Sequence, residues 1–237
     1  MGRPVAIVTG AGSGIGRETA LELSGLGWSL VLVGRTASKL QETARLSDCN
    51  ESQVMEVVAD VGKRDAAEEV VEQTRARFGR VDGLINNAGL AIMKPFGALD
   101  ADEIERMFMV NALGPVWLMR AAWEILAQDG GGRIVNVSSM ATIDPFPGLG
   151  TYGAAKAVLN RLGAAVALEH ADSGVRAFTV APGAVETGML RSIVPVSALP
   201  RALALEPSAV AEVIVACVTG QRDADAGAVI EVPSPTG

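Results

Sequence analysis

Tyr152 and Lys156 stand four residues apart in a stretch of helical character, so their side chains share one face. Tyr152 is the single tyrosine of the 237 residues. A free phenol titrates near pKa ~10, too high for easy proton exchange at neutral pH. An ammonium one helical turn away stabilises the phenolate, each unit of lowering corresponding to ~1.4 kcal/mol. The pair is therefore a candidate proton donor and acceptor for a reacting oxygen. We expect the phenol to ionise well below ~10, and its transition to rise when Lys156 is replaced. Ser139 closes the strand-like run Arg133–Ser138 ahead of that helix, and its hydroxyl suits hydrogen bonding to an oxygen that gains negative charge.

A second constellation suits an anion. The run Thr9-Gly10-Ala11-Gly12-Ser13-Gly14-Ile15-Gly16 follows the first strand-like segment and opens a helix. Glycines let the chain turn tightly and let backbone N–H groups approach a pyrophosphate, to which the helix N-terminus adds its dipole. The spacing is GxxxGxG rather than GxGxxG, and no Gly-Lys-Ser/Thr closes it, so it is not a Walker A loop. At the end of the second strand an acidic residue would hold a free ribose 2′-hydroxyl. The chain has Val33-Gly34-Arg35-Thr36 instead, which favours a 2′-phosphate and hence NADP(H), with NAD(H) as the alternative.

These residues need a frame. Strand-like runs at Val5–Thr9, Ser29–Val33, Val54–Ala59, Gly83–Asn86, Arg133–Ser138, Val175–Val180 and Ala228–Val232 alternate with helical segments near 15–26, 37–46, 65–78, 100–127, 151–170 and 207–219. Such alternation predicts one α/β domain over 1–237, a doubly wound, seven-stranded parallel sheet with helices on both faces. The terminal run Val232–Gly237 is expected to be an exposed end. With 49% hydrophobic residues, disorder is excluded. A net charge of −7 argues against nucleic acid and anionic membrane surfaces as partners. Apolar runs are too short to span a bilayer. Two cysteines, Cys49 and Cys217, form no framework and no metal spacing, so no metal is expected and the cytoplasm is the expected compartment. A single histidine, His170, argues against multi-histidine zinc sites and, unless His170 is itself the base, against Ser-His-Asp hydrolysis.

Two helical segments, Met107–Leu126 and Tyr152–Leu168, are apolar around their circumference. A helix that only covers a sheet keeps one polar face, so a second copy of the chain is expected over these two, as a homodimer or homotetramer.

Taken in order, Thr9–Gly16, Asp60, Asn86-Asn87-Ala88-Gly89, Asn111, Ser139, Tyr152-xxx-Lys156 and Pro182-Gly183-Ala184-Val185-Glu186-Thr187 resemble the short-chain dehydrogenase/reductase family in its form of roughly 250 residues, across essentially the whole chain. The resemblance implies a Rossmann-type fold and hydride transfer between NADP(H) and a ketone, aldehyde or secondary alcohol. It implies Tyr152 as general acid or base, Lys156 as the group that lowers the phenol and holds ribose hydroxyls, and Ser139, chosen over Ser138 by its thirteen-residue spacing from Tyr152, as polariser of the substrate oxygen. Asn111 would hold a water that links Lys156 to solvent. Gly10, Ser13, Gly14, Ile15, Gly16 and Arg35 would bind the phosphates. Asp60 and Val61 would meet the adenine, Asn87 the adenosine ribose, and Val185 and Thr187 the nicotinamide, with Asn86 tying the central sheet together. The alternatives are an NAD-dependent alcohol dehydrogenase and a catalytically silent scaffold that binds the cofactor.

Three segments would meet a small-molecule substrate: Leu90–Met93, Met140–Gly150 and a lid over 188–205 with no clear element of its own. They are mostly apolar, which favours a carbonyl compound with an apolar body. Asp144 and Arg191 are expected to be solvated loop charges rather than a handle for the substrate.

Overall fold

The computed structural model describes residues 2–128 and 130–235; Met1, Asp129, and Thr236 and Gly237 of the expected exposed end lie outside the described residues. The strands are β1 (Val5–Thr9), β2 (Ser29–Gly34), β3 (Val54–Val58), β4 (Gly83–Asn86), β5 (Arg133–Val137), β6 (Arg176–Pro182) and β7 (Val229–Val232). They form one all-parallel sheet in the order β3-β2-β1-β4-β5-β6-β7. Each lies within two residues of its expected bounds. The helices are α1 (Gly14–Gly25), α2 (Ala37–Leu46), α3 (Arg64–Phe78), α4 (Ala101–Phe108), α5 (Gly114–Leu126), α6 (Gly150–Glu169), α7 (Gly188–Ile193) and α8 (Pro207–Val218).

The alternation of side chains along each strand splits the core into two layers. Ala6 and Val8 of β1 pack with Leu30, Leu32, Val135 and Phe178 under α1 and α8. Val5 and Ile7 pack with Val31, Leu84 and Ile134 under α3 and α5. Both faces of the sheet are covered, which is why its strands are apolar runs rather than alternating ones. The strand order reverses at β1, between β2 and β4, and the crevice beyond the carboxyl ends of the strands opens there.

Two expectations need correction. The helix expected over 100–127 is interrupted: Met109–Leu113 forms a π-turn between α4 and α5. Gly114 follows it at a point where a β-carbon would come 2.5 Å from the Val61 carbonyl oxygen, and Pro115, with no N–H to donate, starts α5. The α4 start carries a capping box, Asp100 accepting from the Glu103 N–H at 2.8 Å and Glu103 reaching back. The second correction is the lid, which contains α7, N-capped by Thr187 whose hydroxyl accepts from Leu190 N–H at 3.2 Å.

Candidate active site

A cleft of about 960 Å³ runs along the carboxyl ends of the strands. Its floor at one end is the β1–α1 turn. Gly10 and Gly14 take positive φ values of 68° and 54°, open to glycine at little cost. Ser13 sits at the α1 N-cap without a side-chain cap bond, and the first turn holds no acidic residue, so its N–H donors have no side-chain acceptor. Gly10, Ser13, Gly14 and Ile15 line the cleft as expected. Gly16 does not. It is buried in α1, where a β-carbon would collide with the Gly10 carbonyl oxygen and the Asn87 amide, so close packing requires a glycine there. Arg17 secures the loop from outside, donating to the Gly12 carbonyl at 2.8 Å and pairing with Glu42 at 2.7 Å.

Arg35 lines the cleft beyond β2, joined by Thr36 and by Lys39 of α2. Lys39 was not singled out from the sequence. Its stem packs against Gly12, where a β-carbon would sit 2.9 Å from the Lys39 Cβ. No carboxylate pairs with either cation among the described residues, and no acidic residue stands at the end of β2. Asp60 and Val61 line the same end. Asp60 also fixes its own turn, accepting from Gly62 N–H at 3.0 Å. Asn87 lines the cleft too, but its amide donates to the Thr9 carbonyl at 2.8 Å, while the Thr9 hydroxyl accepts from both Asn87 and Ala88 N–H at 3.0 Å. Asn87 therefore joins the ends of β4 and β1. Asn86 donates to Asn136 at 2.9 Å across β4 and β5, the sheet tie expected of it.

The other end holds Ser139, Tyr152 and Lys156, all lining the cleft. Ser139 stands just past β5, where its hydroxyl lowers the pKa of the Tyr152 phenol and accepts from Ala141 N–H at 3.1 Å. Ser138 also lines the cleft but is buried, its hydroxyl engaged in donating to Asn160 at 2.5 Å. Asn160, one turn beyond Lys156, donates in turn to Thr142 at 2.8 Å and so holds the β5–α6 turn against α6.

Lys156 is buried and its ammonium donates to the Val137 carbonyl at 2.7 Å. Burial lowers its pKa to about 8. Burial also pushes the Tyr152 phenol up to about 12, against a smaller lowering from Ser139. The phenol of the chain alone is thus harder to ionise than a free one, contrary to the sequence expectation. Desolvation outweighs the effect of the neighbouring amine, whose ammonium is itself destabilised and turned to a carbonyl.

Asn111 lies in the π-turn, buried, and does not line the cleft. Its side chain closes on Leu90, donating to the carbonyl at 2.7 Å and accepting from the N–H at 3.0 Å. The Asn111 Oδ1 and the Lys156 Nζ nonetheless lie 3.1 and 3.4 Å from one point, the place a β-carbon on Gly89 would take. Val185 and Thr187 line the cleft above. Pro233 and Ser234 also line it, and Ser234 accepts from Ala184 N–H at 2.7 Å. The terminal run expected to be exposed is, as far as Ser234, part of the site wall. Among the described residues no cluster of metal-ligating side chains occurs, and no helix is long and apolar enough to cross a membrane.

Sheet order, crevice and loop define a Rossmann-type α/β domain. The chain belongs to the short-chain dehydrogenase family, whose pattern matches residues 4–197, and it is an oxidoreductase of that family. It is 34% identical over 184 residues to an uncharacterized oxidoreductase of Staphylococcus saprophyticus, covering 77% of this chain and 79% of that one. It is 36% identical over 190 residues to a short chain dehydrogenase/reductase of Aspergillus oryzae, covering 78% and 72%. Among solved structures, a 3-ketoacyl-(acyl-carrier-protein) reductase from Brucella melitensis complexed with NADH superposes with a TM-score of 0.89 at 27% identity, over 97% of this chain and 96% of that one. Levodione reductase superposes with 0.90 at 27% identity, over 97% and 95%.

Proposed function

We propose that the protein is an NADP(H)-dependent carbonyl reductase acting on small to medium, largely apolar ketones or aldehydes, and on the matching secondary alcohols in reverse. The observation that carries this reading is the meeting of Tyr152, Ser139 and Lys156 at one end of a cleft whose other end offers unpaired Arg35 and Lys39. The cradle fits the cofactor: two positive-φ glycines, first-turn N–H donors without a side-chain acceptor, and two cations where a 2′-phosphate would lie. NADPH supplies the hydride when bound. The chain does the rest. Ser139 holds the carbonyl oxygen by a hydrogen bond as charge grows there. Tyr152 gives that oxygen its proton and is recharged from solvent along the Lys156 side of the cleft. Lys156 keeps positive charge beside the phenol and, with Asn87, Val185 and Thr187, shapes the bed for the cofactor. The Brucella relative bound to NADH keeps NAD(H) as the second reading of the cofactor, which Arg35 and Lys39 disfavour.

A second copy over α5 and α6, as a dimer or tetramer, belongs to the same proposal. It is supported by Leu168 of α6 at 82% exposure and by Leu113, just before α5, at 38% exposure. The two free thiols, Cys49 and Cys217, support a reducing, cytoplasmic setting. The reaction is tested by following NADPH absorbance with a panel of ketones and aldehydes. Turnover by the natural chain, and none by Tyr152→Phe that still binds NADPH, is the expected result; Tyr152→Phe retaining most of the activity overturns the assignment.

A further inference from the structure

Outside the main cleft lies a second cavity of about 360 Å³, walled by Lys94, Phe96, Pro145, Phe146, Pro147 and Thr151. It adjoins the first. Phe146 lines both spaces, and Thr151 of the smaller one directly precedes Tyr152 of the larger. The shared wall is built from two segments fastened together: Lys94 N–H donates to the Gly148 carbonyl at 3.0 Å. Gly148 takes φ 82°, and a β-carbon there would stand 3.1 Å from Met93 Cγ. Phe96 is 80% exposed and Phe146 55% exposed, a large aromatic surface left to water at the mouth of a site. The Thr151 hydroxyl in the wall is buried and has no hydrogen-bond partner among the described residues. Among the described residues that line it, the one charged side chain, Lys94, is already paired with Glu103 at 2.5 Å. Nothing there offers an anion a free cation.

We propose that this cavity is an accessory subsite for the uncharged alkyl or aryl tail of the substrate whose carbonyl meets Tyr152, with Phe146 dividing reacting end from tail. The inference rests on the reading of Tyr152, Ser139 and Lys156 given above. It predicts a substrate longer than the main cleft alone requires, and one without a terminal carboxylate.

The test measures NADPH-dependent kcat/KM for straight-chain 2-alkanones from 2-butanone to 2-undecanone, with a terminally carboxylated 2-alkanone for comparison. Each methylene that enters the cavity is expected to raise kcat/KM by up to about fourfold until a plateau. Phe96→Ala is expected to lower the ratio of 2-undecanone to 2-butanone kcat/KM by roughly five- to tenfold, and the terminal carboxylate to cancel the gain of the long chain. A flat chain-length profile in the natural protein, or an unaltered ratio in Phe96→Ala, overturns the subsite while leaving the Tyr152 chemistry standing. Turnover of no ketone at all overturns the Tyr152 reading and the subsite with it. A change of particle mass in Phe96→Ala by light scattering, with the ratio intact, assigns the patch to contact between copies and likewise overturns the proposal.

Discussion

Arg191 of α7 is bound to the carboxylate of Glu186, five residues before it, and also donates to the Leu199 carbonyl at 2.8 Å, eight residues after it. The base of the same segment is closed: Val185 and Leu205 pair in a parallel bridge, with Glu186 N–H on the Leu205 carbonyl and Leu205 N–H on the Ala184 carbonyl, both at 2.8 Å. The lid is therefore pinned at its two ends and braced across its middle by one guanidinium. It stands as one braced unit over the cleft that Thr187, Met189, Leu190 and Leu199 line.

Arg191→Met is expected to raise the KM for ketone severalfold with a smaller change in kcat, and to speed protease cleavage within 188–205. Arg191→Lys restores this only in part, because an ammonium cannot serve the carboxylate bidentately and the carbonyl as well. Steady-state kinetics and timed proteolysis check both; a variant with natural KM and natural cleavage rate contradicts the brace. The hydrogen bond from Arg191 holds the Glu186 carboxyl below the usual range. A depressed carboxyl contributes stability above its ordinary pKa and loses it as pH falls through the lowered one. The brace is therefore complete at neutral pH and opens only in acid.

The lid also shows where the sequence stops being informative. Arg191 stands beside no acidic residue in the sequence, so its composition suggests a solvated charge; only the start of α7 brings Glu186 to it, and only the folding back of 194–199 brings the Leu199 carbonyl. The strands were legible because each is a short apolar run, and Tyr152, Lys156 and Ser139 because helix period and strand end bring them together. The π-turn was not legible, since it breaks a pattern that is helical on both sides. Nor was Lys39, which reaches the cleft from an otherwise ordinary exposed helix, or Ser234, whose place depends on the β7 register. Gly16 was legible as part of the phosphate loop, but not its tight packing against Gly10 and Asn87. Spacing cannot separate a glycine that meets a ligand from one that meets the neighbouring strand.

Gly16→Ala separates those two roles. The added methyl meets backbone at the Gly10 carbonyl, which cannot yield as a flexible side chain would. Overpacking of this kind costs about 1–3 kcal/mol. Urea unfolding of the cofactor-free chain is expected to show a loss in that range. Natural stability with weakened NADPH binding would return Gly16 to the ligand-contact role.

Among the described residues Arg35 and Lys39 line the cleft without carboxylate partners, so under the proposed reading a 2′-phosphate would meet charge that no carboxylate neutralises. Arg35→Ala is expected to raise the KM for NADPH about tenfold and Lys39→Ala severalfold, with the NADH value nearly unmoved. Equal rises for both cofactors in either variant would remove that residue from phosphate recognition. The ionic-strength dependence of the NADPH KM should shrink in both variants, because screened attraction is what they lose.

Burial acts on the Tyr152–Lys156 pair in opposite directions, which makes pH a direct probe. Lys156, lowered to about 8 from 10.5, sheds its proton in the folded chain while the unfolded chain still holds one. Between those values the unfolded state binds more protons, so stability rises with pH. Relative to the natural chain, Lys156→Met should be stabilised most below pH ~8, by up to about 3 kcal/mol, and this advantage should fade towards pH ~10.5. Tyr152, raised to about 12 from 10.0, works the other way: the unfolded phenol ionises first, and stability falls as pH climbs between those values. With one tyrosine in the chain, ultraviolet difference absorption reads that phenol alone. The cofactor-free protein is expected to show its transition above ~10, and added NADP+ to draw it downward by returning positive charge to the pocket. In Lys156→Met the downward movement should be blunted. A cofactor-free phenol that already ionises below ~10 would mean that the amine outweighs burial after all. A stability difference that does not vary with pH would mean that Lys156 carries no strained charge.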